Sequence, residues 1–202
     1  MKLAVITNDN QWDEIKNNVT DVVWIRLDSL INIPLNIDAL FILADVIEMD
    51  YKTIQVPIFI NEVTKTLKEL KCPGNVVRIN GWQGFLTRSD WEVTGTITES
   101  MMAIFQALNK KFIVVPDAPG FISARILALI INEAWFALGE NVSTKNDIDI
   151  AMKLGTNYPL GPFEWGEKIG EKNIFELLIK LSETNKKYLP APLLKQKIIE
   201  LV

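Results

Sequence analysis

The segment Asn8-Asp9-Asn10-Gln11-Trp12-Asp13 follows the first apolar run of the chain, residues 3–7. A turn at this place that is to cradle a phosphate needs glycine, because only glycine lets the backbone approach the anion at a helix start. The first glycine in the chain is Gly74. Asp9 and Asp13 add negative charge to this turn and Trp12 adds bulk, so the spacing predicts a turn closed by its own side chains. Asp28, which ends the second apolar run, reads as a turn or cap residue. The chain contains no histidine. No imidazole can act as general base, as triad partner or as zinc ligand, and Ser-His-Asp and Cys-His chemistries are excluded with it. The one cysteine, Cys72, has no partner for an internal disulfide, which fits a reducing compartment.

These residues are carried by 202 residues that are 49% hydrophobic and 23% charged, the composition of an ordinary globular chain of one large or two small domains. Lys plus Arg is 21 against 25 for Asp plus Glu, a net charge of −4, so the basic face of a nucleic-acid binder is not expected. The most apolar stretch, 126–131 and on to Trp135 and Leu138, is broken by Asn132 and Glu133 and preceded by Arg125. A membrane span needs about 20 apolar residues without such interruptions, so this stretch is expected to be a buried helix. The first apolar run is too short for a signal peptide and is followed by Asp9 and Asp13, and a cytoplasmic location is expected.

Up to Pro116, short apolar runs alternate with polar helical patterns, the rhythm of a parallel sheet with crossover helices. Strands are predicted at 3–7, 22–27, 39–43, 56–60, 76–79, 91–94 and 112–115, and helices at 11–18, 63–70 and 99–108. After Pro116 the pattern is helical throughout: 121–138, a helix capped by Ser143 or Thr144 running to Gly155, then 163–169, 173–181 and 193–201. The expected fold is α/β then all-α, with domains at 1–116 and 117–202.

One ordered set of motifs is specific. Asp117-Ala118-Pro119-Gly120-Phe121-Ile122-Ser123-Ala124-Arg125 is followed by Asn132-Glu133-Ala134, then by Asp147-Ile148-Asp149 and Ala151-Met152-Lys153-Leu154-Gly155, then by Pro159-Leu160-Gly161-Pro162-Phe163. This set resembles the C-terminal domain of the 3-hydroxyacyl-CoA dehydrogenases, which read D-x-P-G-F-I-x-N-R, N-E-A, D-I-D-x-A-M-x-x-G and P-x-G-P-F with the same spacing. The resemblance implies a Rossmann-like N-terminal domain, a helical C-terminal domain that makes a dimer, NAD as cofactor and oxidation of a 3-hydroxyacyl-CoA. Read physically, most of the motif is structural: Gly120 permits a turn with positive φ, Gly161 and Pro162 shape a helix–helix turn, and Arg125 is an ion-pair partner. Ile126, Leu127, Ile130, Ile131, Ala134 and Leu138 form a broad apolar face for core and interface.

The chain departs from the family where the chemistry lies. In the region matching the family's G-x-H-F, here Asn80-Gly81-Trp82-Gln83-Gly84-Phe85, Gln83 stands at the histidine position. Glu92 matches the family's glutamate, at shorter spacing, and Ala124 replaces the asparagine of F-I-x-N-R. Asn61 matches an asparagine of the substrate loop. The glycine fingerprint is missing, and between Asp28 and Ala39 there is no room for the family's long helical insert. The resemblance alone therefore implies NAD, and no cofactor is predicted from the residues. The expected function is a 3-hydroxyacyl-CoA dehydrogenase-like protein of fatty acyl-CoA metabolism with dehydrogenase activity lost or impaired, able to hold an acyl-CoA-type ligand or a partner. The alternative is an active NAD-dependent 3-hydroxyacyl-CoA dehydrogenase. Lys65, Lys68 and Lys71 on the predicted helix 63–70 could attract an anionic CoA, although a solvated helix face is the plainer reading. A homodimer is expected through the helical domain, because Trp135, Phe136, Phe163, Trp165, Phe175 and Leu178 are many large apolar groups for so short a segment to bury alone.

Overall fold

A computed structural model describes residues 1–17, 19–44 and 51–200. The chain forms two compact units, Met1–Phe121 and Ile122–Val202. The first thus ends at Phe121, beyond the 116/117 boundary read from sequence.

The first unit contains β1 (Lys2–Ile6), α1 (Asp9–Lys16), β2 (Val23–Leu27), β3 (Ala39–Ile42), β4 (Ile58–Asn61), β5 (Val76–Ile79), β6 (Asp90–Thr94), α2 (Glu99–Ala107) and β7 (Lys111–Val114). The strands make one sheet in the order β2-β1-β3-β4-β5-β6-β7. All pairs are parallel except β5 with β6. The reversal at β6 departs from the expected parallel sheet, and its cause is the connection. Only residues 80–89 link β5 to β6, and a parallel return needs a crossover of a dozen or more residues.

Leu3, Val5, Phe41, Phe59, Val77, Ile79, Trp91 and Val93 point to one face of the sheet and bury Ile15 of α1 and Met101, Ile104 and Phe105 of α2. Phe41 stacks on Phe59 at 4.5 Å between ring centres, and Phe105 meets Phe59 edge-on at 5.5 Å. Ala4, Leu40, Ile42, Ile58, Ile60 and Val76 form a second cluster on the other face. Burial on both faces explains why these strands read as unbroken apolar runs.

Residues 63–70 are not the predicted helix. They hold one hydrogen-bonded turn, from Leu70 N to Thr66 O. Their N–H groups go instead to carboxylates: Thr64 and Lys65 donate to Glu62, Thr66 to Glu69, and Leu67 and Lys68 to Asp117. Side-chain acceptors of this kind compete with helical hydrogen bonding. Lys65, Lys68 and Lys71 therefore do not line one helix face. Asp117 also pairs with Arg78 Nη1 at 2.6 Å, and the Arg78 side chain has no exposed surface at all.

Among the described residues the second unit holds five α-helices, α3 (Ser123–Gly139), α4 (Lys145–Thr156), α5 (Pro162–Ile169), α6 (Glu171–Ser182) and α7 (Pro192–Ile199), with a 3-10 turn at Lys186–Tyr188 before the last. The motif residues act here as caps. Thr144 caps α4, accepting from Asp147 N. Buried Asp149 accepts from Phe163 N at 2.8 Å and Glu164 N at 3.2 Å, so it caps α5 from the side, where Pro162 has no donor to offer. Glu164 reaches back to Gly161 N at 2.8 Å. Asn132 donates to Leu189 O and accepts from Ala191 N, which clamps the entry to α7. Among the described residues no helix is long and apolar enough to cross a membrane.

Candidate functional site

The order β2-β1-β3 places a switch point between β1 and β3, because the connections leave β1 in opposite directions. In open α/β sheets, ligands bind in the crevice outside the carboxyl ends of the strands at such a point. Here β1 and β3 stay paired to their carboxyl ends, where Leu43 N and Ala44 N both donate to Ile6 O. Helix α1 begins above them. Asn8 caps it, accepting from Gln11 N at 2.9 Å. Asp9 lies in the first helical turn and pairs with Arg26 of β2 at 2.6 Å.

Gln11 points from α1 into the crevice. It is 5% exposed, and its Nε2 donates to Leu43 O at 3.0 Å and to Gly81 O at 2.8 Å. Asn61, at the end of β4, donates from Nδ2 to the same Leu43 O at 3.0 Å and accepts Gly81 N on Oδ1 at 3.0 Å. A side chain on Gly81 would meet the Asn61 Cβ at 2.9 Å, so this approach requires glycine. Both oxygens of Glu14 lie within 2.8 Å of Gly84 N. Helix α1 is thereby bonded to segment 81–84 at both of its ends.

The other predicted site residues are placed as follows. Gln83 is half-buried, and its Oε1 accepts from Asn10 Nδ2 at 3.4 Å. Glu92 lies on β6, on the sheet face opposite Trp91 and Val93. Its carboxylate acts on Arg88, whose guanidinium lies over the Phe85 ring at 3.9 Å and is lowered from its ordinary pKa by burial. Ala124 is fully buried in the first turn of α3, in the second unit. Gln83, Asn61 and Asn10 thus share one network around 81–84, and Glu92 lies with Arg88. The sequence reading overlooked Gln11. Its signal was a polar residue at i, i+4 from Ile15, on the one apolar stripe of α1.

Residues 120–200 match the family model of the 3-hydroxyacyl-CoA dehydrogenase C-terminal domain. The helical unit is thus similar to the C-terminal domain of the 3-hydroxyacyl-CoA dehydrogenases. The chain is 38% identical over 104 residues to 3-hydroxyadipyl-CoA dehydrogenase of Escherichia coli K12, a match covering 50% of this chain and 22% of that protein. It is 36% identical over 100 residues to a probable 3-hydroxybutyryl-CoA dehydrogenase of Bacillus subtilis, covering 48% of this chain and 35% of that protein. The matches therefore span about a fifth to a third of these relatives' length. In fold, the chain is similar to (S)-3-hydroxybutyryl-CoA dehydrogenase PaaH1 of Ralstonia eutropha, with a TM-score of 0.75 at 19% identity over 98% of this chain and 93% of that one.

The dinucleotide associated with this family does not fit the residues present. The turn after β1 has no glycine, Asp9 sits at the helix start where a diphosphate needs positive potential, and Gln11 already bonds Leu43 O and Gly81 O beside that turn. Among the described residues there is also no group of three or more His, Cys, Asp or Glu that could hold a metal ion.

Proposed function

We propose that this chain is a 3-hydroxyacyl-CoA dehydrogenase-like protein of fatty acyl-CoA metabolism that does not carry out NAD-linked turnover, and whose helical unit serves as a platform for an acyl-type ligand or a partner. The observation that carries this reading is Gln83. A carboxamide neither accepts nor releases a proton near neutral pH. This one is engaged by Asn10, and the chain has no imidazole to take its place. Loss of a general base lowers rates by about 10²–10⁴-fold, and losses at a shared site compound without adding. Acetoacetyl-CoA with NADH is expected to show no enzyme-dependent loss of absorbance at 340 nm. Ordinary dehydrogenase rates would overturn the reading. Glu92 would then be the proton-transfer group, and Glu92→Gln would abolish the rate.

The second reading, an active NAD-dependent enzyme converting 3-hydroxyacyl-CoA to 3-oxoacyl-CoA, is favoured by the names of the relatives. The same assay separates the two.

The helical unit is proposed to form a homodimer, on a different basis from the residues singled out in the sequence. Trp135, Phe163, Trp165 and Leu178 are buried within the chain itself. The apolar groups left outside include Ile122 before α3, Ile126 in α3, and Ile150 and Leu154 on α4, exposed by 50%, 53%, 43% and 82%. Light scattering should return twice the 22.9 kDa chain mass, and a single-chain mass at micromolar concentration would refute the dimer.

A further inference from the structure

We infer that Gln11 is an internal ligand: it occupies the switch-point crevice of the α/β unit and, with Asn61 and Glu14, seals it against a dinucleotide or any other phosphate-bearing molecule. This deepens the reading above on the cofactor side. It rests on different residues from Gln83, so each can fail alone.

The rim of such a crevice is normally lined by backbone groups that await a ligand. Here, among the described residues, the chain satisfies four of them itself. Leu43 O receives donors from both Gln11 and Asn61, Gly81 O receives Gln11, Gly81 N is taken by Asn61, and Gly84 N by Glu14. Both donors on the Gln11 amide nitrogen are thereby used, and the side chain is 5% exposed. A ligand that displaced Gln11 would strip buried Gly81 O of this donor, and an unmade hydrogen bond on a buried carbonyl is strongly unfavourable. Charge opposes entry as well. Asp9 at the start of α1 takes up the charge of Arg26, and the Glu14 carboxylate lies one turn further on, against segment 81–84, so an approaching diphosphate meets a carboxylate beside 81–84 and a cation already paired. The closure is also local in origin. Asn8 starts the helix, which sets Gln11 and Ile15 on its inward face, and the length of a glutamine spans from that face to two carbonyls on different connections.

The full chain is titrated calorimetrically with NADH and, separately, with inorganic pyrophosphate, and Gln11→Met and Gln11→Ala are compared with it by thermal melting and by hydrogen exchange at Gly81 N. Neither probe should bind saturably below about 1 mM. Both variants should melt about 3–10 °C lower and exchange Gly81 N at least about tenfold faster. If Gln11→Ala fails to fold, Gln11→Met, which keeps the volume and loses only the hydrogen bonds, carries the comparison. Micromolar binding of either probe to the unaltered chain would overturn the inference. So would a Gln11→Met chain that melts within about 1 °C of the parent with Gly81 N still protected. Binding of NADH without turnover would overturn this inference and leave the Gln83 reading standing.

Discussion

Asp117→Ala is the most informative perturbation of the α/β unit. Arg78 is the largest fully buried side chain, and its Nη1 lies 2.6 Å from Asp117 Oδ1. Its remaining bonds are to carbonyls, Nε to Glu62 O at 2.9 Å and Nη2 to Ala118 O at 3.3 Å, and it lies 4.8 Å over the Phe121 ring. Removing one partner of a buried ion pair costs about 3–5 kcal/mol, because the other charge stays buried without compensation. The Asp117 side chain is 30% exposed and two carbonyls still serve Arg78, which puts the expected loss at the lower end, about 3 kcal/mol. The N–H groups of Leu67 and Lys68, which also lose Asp117, can turn to water. For a unit of this size about 3 kcal/mol corresponds to a fall of about 10–15 °C in melting temperature, read by calorimetry on the full chain. The double variant Arg78→Met/Asp117→Ala should recover most of that loss, since an apolar replacement removes the stranded charge. A single variant that melts within about 3 °C of the parent, or a double variant no better than the single, would refute this account of the pair.

Three further outcomes are expected. Gly161→Ala should destabilise the helical unit by about 2–4 kcal/mol, because the added methyl would collide with the Asp149 side chain that caps α5, displacing a cap and overpacking the joint; a loss below about 1 kcal/mol in a urea melt would show that Asp149 can move aside. Burial, with Asp117 and Glu62 adding to it against Arg78, pushes the Cys72 thiol up to about 11, so at pH 8 a thiol reagent should react about 100-fold more slowly with folded than with unfolded chain; rates within about threefold of each other would contradict this. Glu164 is held below its ordinary value of 4.5 by the Lys153 ammonium and then by Gly161 N–H. Its stabilising contribution is therefore complete above the unfolded pKa and lost as pH falls through the folded one, and Glu164→Gln should flatten the fall in helical-unit melting temperature below pH 4.5, an unchanged slope being the contrary result.

What could be read from the sequence divides by the range of the interaction. Asp149, Gly161 and Asn132 stand in motifs whose spacing is fixed by helix ends, Thr144 is one of the two residues expected to cap a helix, and the structure uses all four at helix ends. Residues 63–70 misled because their apolar spacing is helical, while the acceptors that unmake the helix include Asp117, about 50 positions away. Arg78 interrupts the apolar run of β5, which marks it as unusual, but its partner lies 39 residues on and no periodicity points there. The crevice follows the same rule in its sharpest form. The missing glycines were visible in the sequence, and they remove the means of holding a phosphate. That the space is then filled follows only from Gln11 reaching Gly81, 70 residues away. Absence of a motif and occupation of its site are separate facts with separate consequences. A crevice that had only lost its glycines would still be open to some other ligand, and restoring the turn would be enough to test it. A crevice sealed by Gln11, Asn61 and Glu14 has its polar rim satisfied from within, so putting glycines back into residues 8–13 while keeping Gln11 should leave NADH unbound.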